Sequence, residues 1–225
     1  MEQQPGRYTA VIFDFGGVIS TPPLQGLRAF CERTGVPLDV LRQLFAAPDG
    51  AWARFEMNRL SQEEFVRAFE AEARAHGYTL DGNAFLQAFF DGMAIRPEML
   101  AVVRALHGRY KLGCITNNVR GGHRNPLLDE LFDVVVESSK EGLRKPDPRI
   151  YQIACERLGV RPEEAIFLDD IGTNLKAARA LGMATIKVDE TTSAIDELER
   201  LLGITLPRET GAPISFERVP ETERA

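Results

Sequence analysis

Val11-Ile12-Phe13-Asp14-Phe15-Gly16-Gly17-Val18-Ile19 is the stretch on which the reading of this chain turns. Ala10 to Phe13 is a short apolar run rich in β-branched and aromatic side chains, ending on a carboxylate that two glycines follow closely. That pattern predicts a buried strand stopping at a tight turn, with Asp14 at the strand's C-terminal edge. In open α/β sheets ligands bind at this edge, because strand tips and helix N-termini leave free backbone groups around a crevice. A carboxylate there is a candidate nucleophile, metal ligand or both. Taken alone it reads better as a cap for the following turn, so partners elsewhere in the chain have to decide.

Beyond Thr21-Pro22-Pro23, which breaks regular structure, the pattern is helical from Leu24 to Met93. Leu27, Phe30 and Cys31 share one helix face, Leu41, Leu44 and Phe45 another, and Phe65, Ala68 and Phe69 a third behind an N-cap at Ser61 with Glu64 three residues on. The second half alternates differently. Short apolar runs at Leu112 to Thr116, Val134 to Val136, Ala165 to Leu168 and Ala184 to Val188 are separated by helical patterns such as Asp147 to Leu158, Asn174 to Leu181 and Ser193 to Leu202. This predicts an α/β fold with a doubly wound, Rossmann-like parallel sheet and right-handed crossovers. An all-helical segment divides the first strand from the rest, so the expected organisation is a core of residues 1–20 and 94–207 with an inserted helical cap of 21–93. Residues 208–225, rich in Pro, Glu and Arg without periodicity, are expected to form a flexible tail.

At 225 residues and 44% hydrophobic content the chain can bury a full core. Its net charge of -6 and its lack of a dense basic cluster argue against a nucleic-acid track or a membrane surface, leaving a small molecule as the expected partner. Cys31, Cys114 and Cys155 lie far apart in apolar surroundings and are expected to be buried thiols, neither disulfides nor a zinc site. Polar Met1 to Arg7 without a basic n-region predicts no signal peptide. With the thiols, it predicts a cytoplasmic protein. The expected assembly is a monomer or weak homodimer.

Three further strand ends carry chemistry. Leu168-Asp169-Asp170 places two carboxylates before a helix, and with Asp14 they form a trio whose repulsion calls for a cation. Mg²⁺ suits an oxygen-only donor set with no His or Cys nearby. Thr116-Asn117-Asn118 offers a hydroxyl and amides for phosphate oxygens, and Arg144-Lys145-Pro146-Asp147-Pro148 fixes Lys145 where its ammonium can face Asp14 and an incoming phosphate. Each residue singly has a duller reading as a cap or a solvated charge. Carboxylate, hydroxyl, lysine and double carboxylate in that order at successive strand ends are far harder to obtain by chance.

With these motifs in place, the chain resembles the haloacid dehalogenase superfamily, in the subclass whose helical cap follows the first motif. The likeness runs from about Tyr8 to Gly203. Lys145 to Tyr151 and Phe167 to Leu175 are also similar to the phosphatase-type domains fused to soluble epoxide hydrolases and to some acyl-CoA dehydrogenases. The resemblance implies a phosphatase working through an aspartyl phosphate. Asp14 would be the nucleophile, and Asp14, the Gly16 carbonyl and Asp170 would hold Mg²⁺, with Asp169 in its outer shell. Thr116, Asn117 and Lys145 would hold the phosphate. It also exposes a departure: most phosphatases of the family carry a general-acid Asp two residues after the nucleophile, where this chain has Gly16. General acid-base help is typically worth about 10²- to 10⁴-fold, so its loss predicts a slow enzyme or one selective for good leaving groups. His123 is one candidate substitute acid.

Two other classes follow from the same residues. A dehalogenase would use Asp14 without metal, which the extra carboxylates Asp169 and Asp170 argue against. A non-catalytic phospho-ligand or protein-binding domain has Gly16 as its support. Within the cap, Trp52, Phe55, Glu56, Met57 and Arg59 form the stretch to search first for substrate contacts, although helical core packing explains Trp52 and Phe55 equally well; Phe85, Phe89 and Phe90 can pack within the cap or against a second subunit, and the former is expected.

Overall fold

Strand β1 (Ala10–Phe13) is fully buried along its length. Val11 and Phe13 enter one apolar layer, and Ala10 and Ile12 enter another. A strand covered on both faces has no position for a polar side chain, which is why it reads as an unbroken apolar run. The computed structural model describes residues 7–119, 130–208, 211–212 and 214–215.

After β1 the chain makes one wide turn over Phe15–Ile19, closed by Ser20 N donating to Phe15 O at 2.9 Å. Gly17 sits there at φ 81°. Five helices follow: α1 (Leu24–Thr34), α2 (Leu38–Ala46), α3 (Ala51–Glu56), α4 (Gln62–Ala75) and α5 (Gly82–Asp91). They enclose their own core, in which Phe55 stacks on Phe65 at 4.4 Å and Phe69 meets Phe85 at 4.5 Å. Each such buried ring contributes about 1.5–3 kcal/mol. The predicted capping box starts α4, with Glu64 N donating to Ser61 Oγ and Ser61 N to Glu64 Oε2. Phe85 is buried, and Phe89 and Phe90 pack half-buried against the same cluster.

The chain then returns through β2 (Ala94–Ile95) and α6 (Pro97–Leu106) to β3 (Lys111–Thr116), β4 (Val134–Glu137), α7 (Ser138–Glu141), α8 (Pro148–Leu158), β5 (Ala165–Asp169), α9 (Gly172–Ala180), β6 (Ala184–Lys187) and α10 (Thr191–Leu202). The main sheet is parallel, in the order β4-β3-β1-β5-β6. Apolar faces of α6 and α10 cover one side, those of α8 and α9 the other. The fold is thus a doubly wound α/β sheet with an inserted helical cap. β3 and β4 are laid down on one side of β1 and β5 and β6 on the other, so the connections diverge over its tip and leave a crevice there.

Two details differ from expectation. Cys31 is only half-buried, while Cys114 and Cys155 are buried; on α1 the core-facing places are taken by Leu27 and Phe30. The segment expected to fray from 208 onward is partly engaged: Arg208 pairs with Asp196 at 2.6 Å and Glu199 at 2.7 Å, and β7 (Ile214–Ser215) runs antiparallel to β2. The short β2 presents backbone groups that an incoming strand can satisfy, a pairing that side-chain periodicity does not reveal. His123 lies outside the described residues. No described helix is long and apolar enough to cross a membrane.

Candidate active site

In-register pairing of Phe13 with Cys114 and Leu168 sets the tips of β1, β3 and β5 side by side. Asp14 follows β1 directly, its N–H donating to Leu168 O at 2.8 Å. Asp14 Oδ1 accepts from Phe15 N at 2.6 Å and lies 2.6 Å from Lys145 Nζ. The lysine is 1% exposed, and its ammonium also donates to Ile115 O and Asp169 Oδ2, each at 2.9 Å. Burial by itself would discharge Lys145, but Asp14 and Asp169 outweigh that and hold its pKa above the usual lysine value. Lys145 is therefore a fixed cation.

Asp169 is fully buried behind it. Its Oδ1 accepts from Ile171 N at 2.7 Å and Asn174 Nδ2 at 3.2 Å, its Oδ2 from Asn174 Nδ2 at 3.0 Å as well as from Lys145. Both oxygens are thus engaged, and the contact sequence reasoning missed is this one between Asp169 and Lys145. The Asn117 amide accepts from Lys145 N at 2.8 Å and donates to Lys145 O at 3.1 Å, so the side chain fixes the lysine's loop with its oxygen and one of its two N–H donors. Thr116, buried at the end of β3, borders the cleft beside Asp14.

Asp170 stands over the glycine turn. A Cβ added to Gly17 would lie 2.3 Å from Asp170 Oδ2, so only a glycine leaves room for this carboxylate. Asp170 Oδ1 is buried without a hydrogen-bond partner. Burial, then the neighbouring Asp169, push its pKa up to about 6. Burial likewise raises Asp14 well above the usual carboxylate range, against the opposing pull of Lys145. One oxygen from each of Asp14, Asp169 and Asp170 lies within 4.8 Å of the others. An unpartnered buried oxygen among crowded carboxylates is what a hard cation would satisfy, so the donor set fits Mg²⁺.

Cap and sheet edge enclose a cleft of about 1190 Å³, bordered by Asp14, Thr116 and Asp170 and by the apolar Leu27, Phe45 and Phe89 of the cap. Gly16 opens on it with φ -71° and ψ 125°, and a Cβ there would meet nothing nearer than Met93 Cε at 4.0 Å. At the end of α3, Glu56 O accepts from Ser138 Oγ at 2.7 Å, and that hydroxyl also accepts from Asn118 N at 2.9 Å. The Glu56 carboxyl accepts from Trp52 Nε1 at 2.8 Å and lies 2.9 Å from Arg144 Nε. Trp52 and Phe55 are core aromatics of the cap. Met57 and Arg59 border the cleft. The pairing of Glu56 with Arg144 left no signal in spacing, since the two lie 88 positions apart.

A family model described as haloacid dehalogenase-like hydrolase matches residues 8–182. The chain belongs to that family. As a haloacid dehalogenase-like hydrolase it is 36% identical over 211 residues to acyl-CoA dehydrogenase family member 10 of Mus musculus, covering 88% of this chain and 20% of the relative. It is 34% identical to bifunctional epoxide hydrolase 2 of Sus scrofa, covering 91% and 40%. The chain thus spans well under half the length of these two relatives. A phosphatase of Mycobacterium tuberculosis is 31% identical, with 85% of this chain and 92% of that protein covered. Among solved structures, a predicted hydrolase of the family from Porphyromonas gingivalis superposes with a TM-score of 0.68 at 27% identity, covering 87% of this chain and 98% of that one. A family enzyme from Bacteroides thetaiotaomicron, solved with magnesium and inorganic phosphate, shares the fold at a TM-score of 0.62 and 20% identity, covering 81% and 96%.

Proposed function

We propose that this hydrolase is an Mg²⁺-dependent phosphatase that acts on a small phosphorylated metabolite through an aspartyl phosphate on Asp14. The observation that carries the reading is the buried grouping of Asp14, Lys145 and the unpartnered Asp170 oxygen on the cleft wall. Such a grouping suits phosphoryl transfer, in which positioning and charge supply most of the rate. The phosphatase among the relatives and the magnesium and phosphate in a structural neighbour support it.

Asp14 and Asp170, with the Gly16 carbonyl, would hold the metal. When bound, Mg²⁺ supplies positive charge to phosphate oxygens and keeps the crowded carboxylates ionised. Asp14 then attacks phosphorus with one carboxylate oxygen. Lys145 gathers the developing charge, held in place by Asp169 and by the Asn117 amide on its backbone. Thr116, on the cleft wall, would donate its hydroxyl to a phosphate oxygen. Water afterwards cleaves the acyl phosphate and regenerates Asp14. The core offers the leaving oxygen no acid at position 16, so acting unaided it favours good leaving groups. Above the phosphate, the apolar cap wall suits a substrate with an apolar body.

Hydrolysis of para-nitrophenyl phosphate, with and without Mg²⁺, for the intact chain and for Asp14→Asn tests the reading. Turnover requiring both the metal and Asp14 is expected. Metal-independent turnover, or full activity in Asp14→Asn, would refute it.

A further inference from the structure

The turn after β1 has no side chain at position 16, yet a phosphate ester of an alcohol needs a proton at its leaving oxygen. Several carboxylates border the cleft. Asp14 and Asp170 belong to the metal-binding group, the hydrogen bond from Arg149 holds the Asp147 carboxyl below its usual range, and Asp189 and Asp49 are exposed. Among the described residues that leaves Glu56, which is 5% exposed.

We propose that Glu56 of the cap is the proton donor and acceptor of this site, replacing from above the group that position 16 lacks below. The proposal rests on the phosphatase reading. In-line displacement places the leaving oxygen opposite the attacking carboxylate, and with Asp14 at the sheet edge that direction is toward the cap. The two Glu56 oxygens are not equivalent. Oε1 accepts the Trp52 indole bond, whereas Oε2 is buried without a hydrogen bond, since Arg144 Nε beside it is out of alignment. Oε2 is thus the oxygen on which a proton can sit. Ser138 ties the Glu56 carbonyl to the loop carrying Thr116, so the side chain has a fixed origin relative to the phosphate site.

The protonation balance agrees with this geometry. The charges facing Glu56 are Arg144 and Lys145, from the core loop before α8; on the cap side Arg54 is directed to Glu72 of α4. Both facing cations favour the carboxylate, but burial outweighs them and moves Glu56 up to about 7. An acid with a pKa near the working pH is the most effective proton donor.

In the first step Asp14 bonds to phosphorus as the bond from phosphorus to the ester oxygen breaks. Glu56 gives its proton to that oxygen, releasing a neutral alcohol and leaving a carboxylate. In the second, Glu56 takes a proton from the water whose oxygen attacks phosphorus. The bond to Asp14 then breaks, and inorganic phosphate and protonated Glu56 result.

Glu56→Gln keeps the acceptor for Trp52 and removes the proton. Measured against aryl and alkyl phosphates of graded leaving-group pKa, it should lose about 10²- to 10⁴-fold in kcat/KM on alkyl esters. On para-nitrophenyl phosphate kcat/KM should stay near wild type, with a burst of nitrophenol because the second step has lost its base. Adding Gly16→Asp to this variant should restore part of the alkyl rate, as the backbone and space at position 16 accept a side chain. In the otherwise unaltered chain, alkyl kcat/KM should fall as pH rises through about 7, following loss of the Glu56 proton. Arg144→Met should move that limb to higher pH, a response that a structural Glu56 would not give. An equal loss across all leaving groups, an unchanged alkyl rate, or an unmoved limb overturns the proposal. If Glu56→Gln does not fold, the limb and its displacement decide. Lack of Mg²⁺-dependent and Asp14-dependent turnover in the unaltered chain would instead overturn the phosphatase reading itself.

Discussion

Asp170→Asn should stabilise the metal-free protein while abolishing its response to Mg²⁺. The folded chain raises this carboxyl from 3.8 to about 6, through burial first and the charge of Asp169 second. At about 1.4 kcal/mol per pKa unit the full shift corresponds to about 3 kcal/mol above pH 6. Solvent reaching this half-buried group reduces that to about 1–2 kcal/mol. The sign follows from proton counting. Between pH 4 and 6 the folded state binds more protons at Asp170 than the unfolded state, so stability falls as pH rises through that window. An amide carries no such penalty. For a chain of this size the gain equals about 3–6 °C in melting temperature at pH 7.5, shrinking toward zero near pH 4. Mg²⁺ at 100 times its Kd would add about 2.7 kcal/mol to the unaltered protein and little to the variant. Differential scanning calorimetry at both pH values, with and without Mg²⁺, measures all four quantities. A lower melting temperature for metal-free Asp170→Asn, or an undiminished Mg²⁺ response, would refute the electrostatic account of the cluster.

Gly17→Ala should abolish Mg²⁺ binding in isothermal titration, because φ 81° disfavours the side chain and its Cβ would lie 2.3 Å from Asp170 Oδ2; unchanged affinity would contradict it. Lys145→Met removes the cation between Asp14 and Asp169. It should cost about 3–5 kcal/mol in urea unfolding as well as all phosphatase turnover, and a loss under 1 kcal/mol would show the carboxylates need no internal partner. Gly26→Ala would place a Cβ 1.9 Å from Ala88 O where α1 crosses α5. A cap destabilised by about 1–3 kcal/mol, read as faster proteolysis within 24–93, is expected; unaltered protection would show that the two helices part freely.

Much of the fold was legible because its code is local. β1 announces itself through an apolar run before Asp14, and Ser61 and Glu64 mark the start of α4 with the capping pair later found bonded. The alternation of apolar runs and helices after Pro97 foretells a parallel sheet, since only crossover helices can join parallel neighbours. Missed at the sequence level was structure without a local pattern. The pairing of β7 with β2 depends on backbone groups that any residue carries. The two bonds from the Asn117 amide to the Lys145 backbone depend on two loops meeting across 28 positions.

The sequence by itself determined where the candidate residues stand: Asp14, Thr116, Asp169 and Asp170 end or directly follow strands whose type is set by their own residues, and Lys145 stands in the loop before α8. Only the tertiary structure decided what each group does to the next. It buried Lys145 between Asp14 and Asp169, left Asp170 Oδ1 unpartnered, and carried Glu56 from the cap to Arg144. Protonation and charge depend on distance and on exclusion of water, and both are set by how separate elements pack together, which spacing along the chain does not encode.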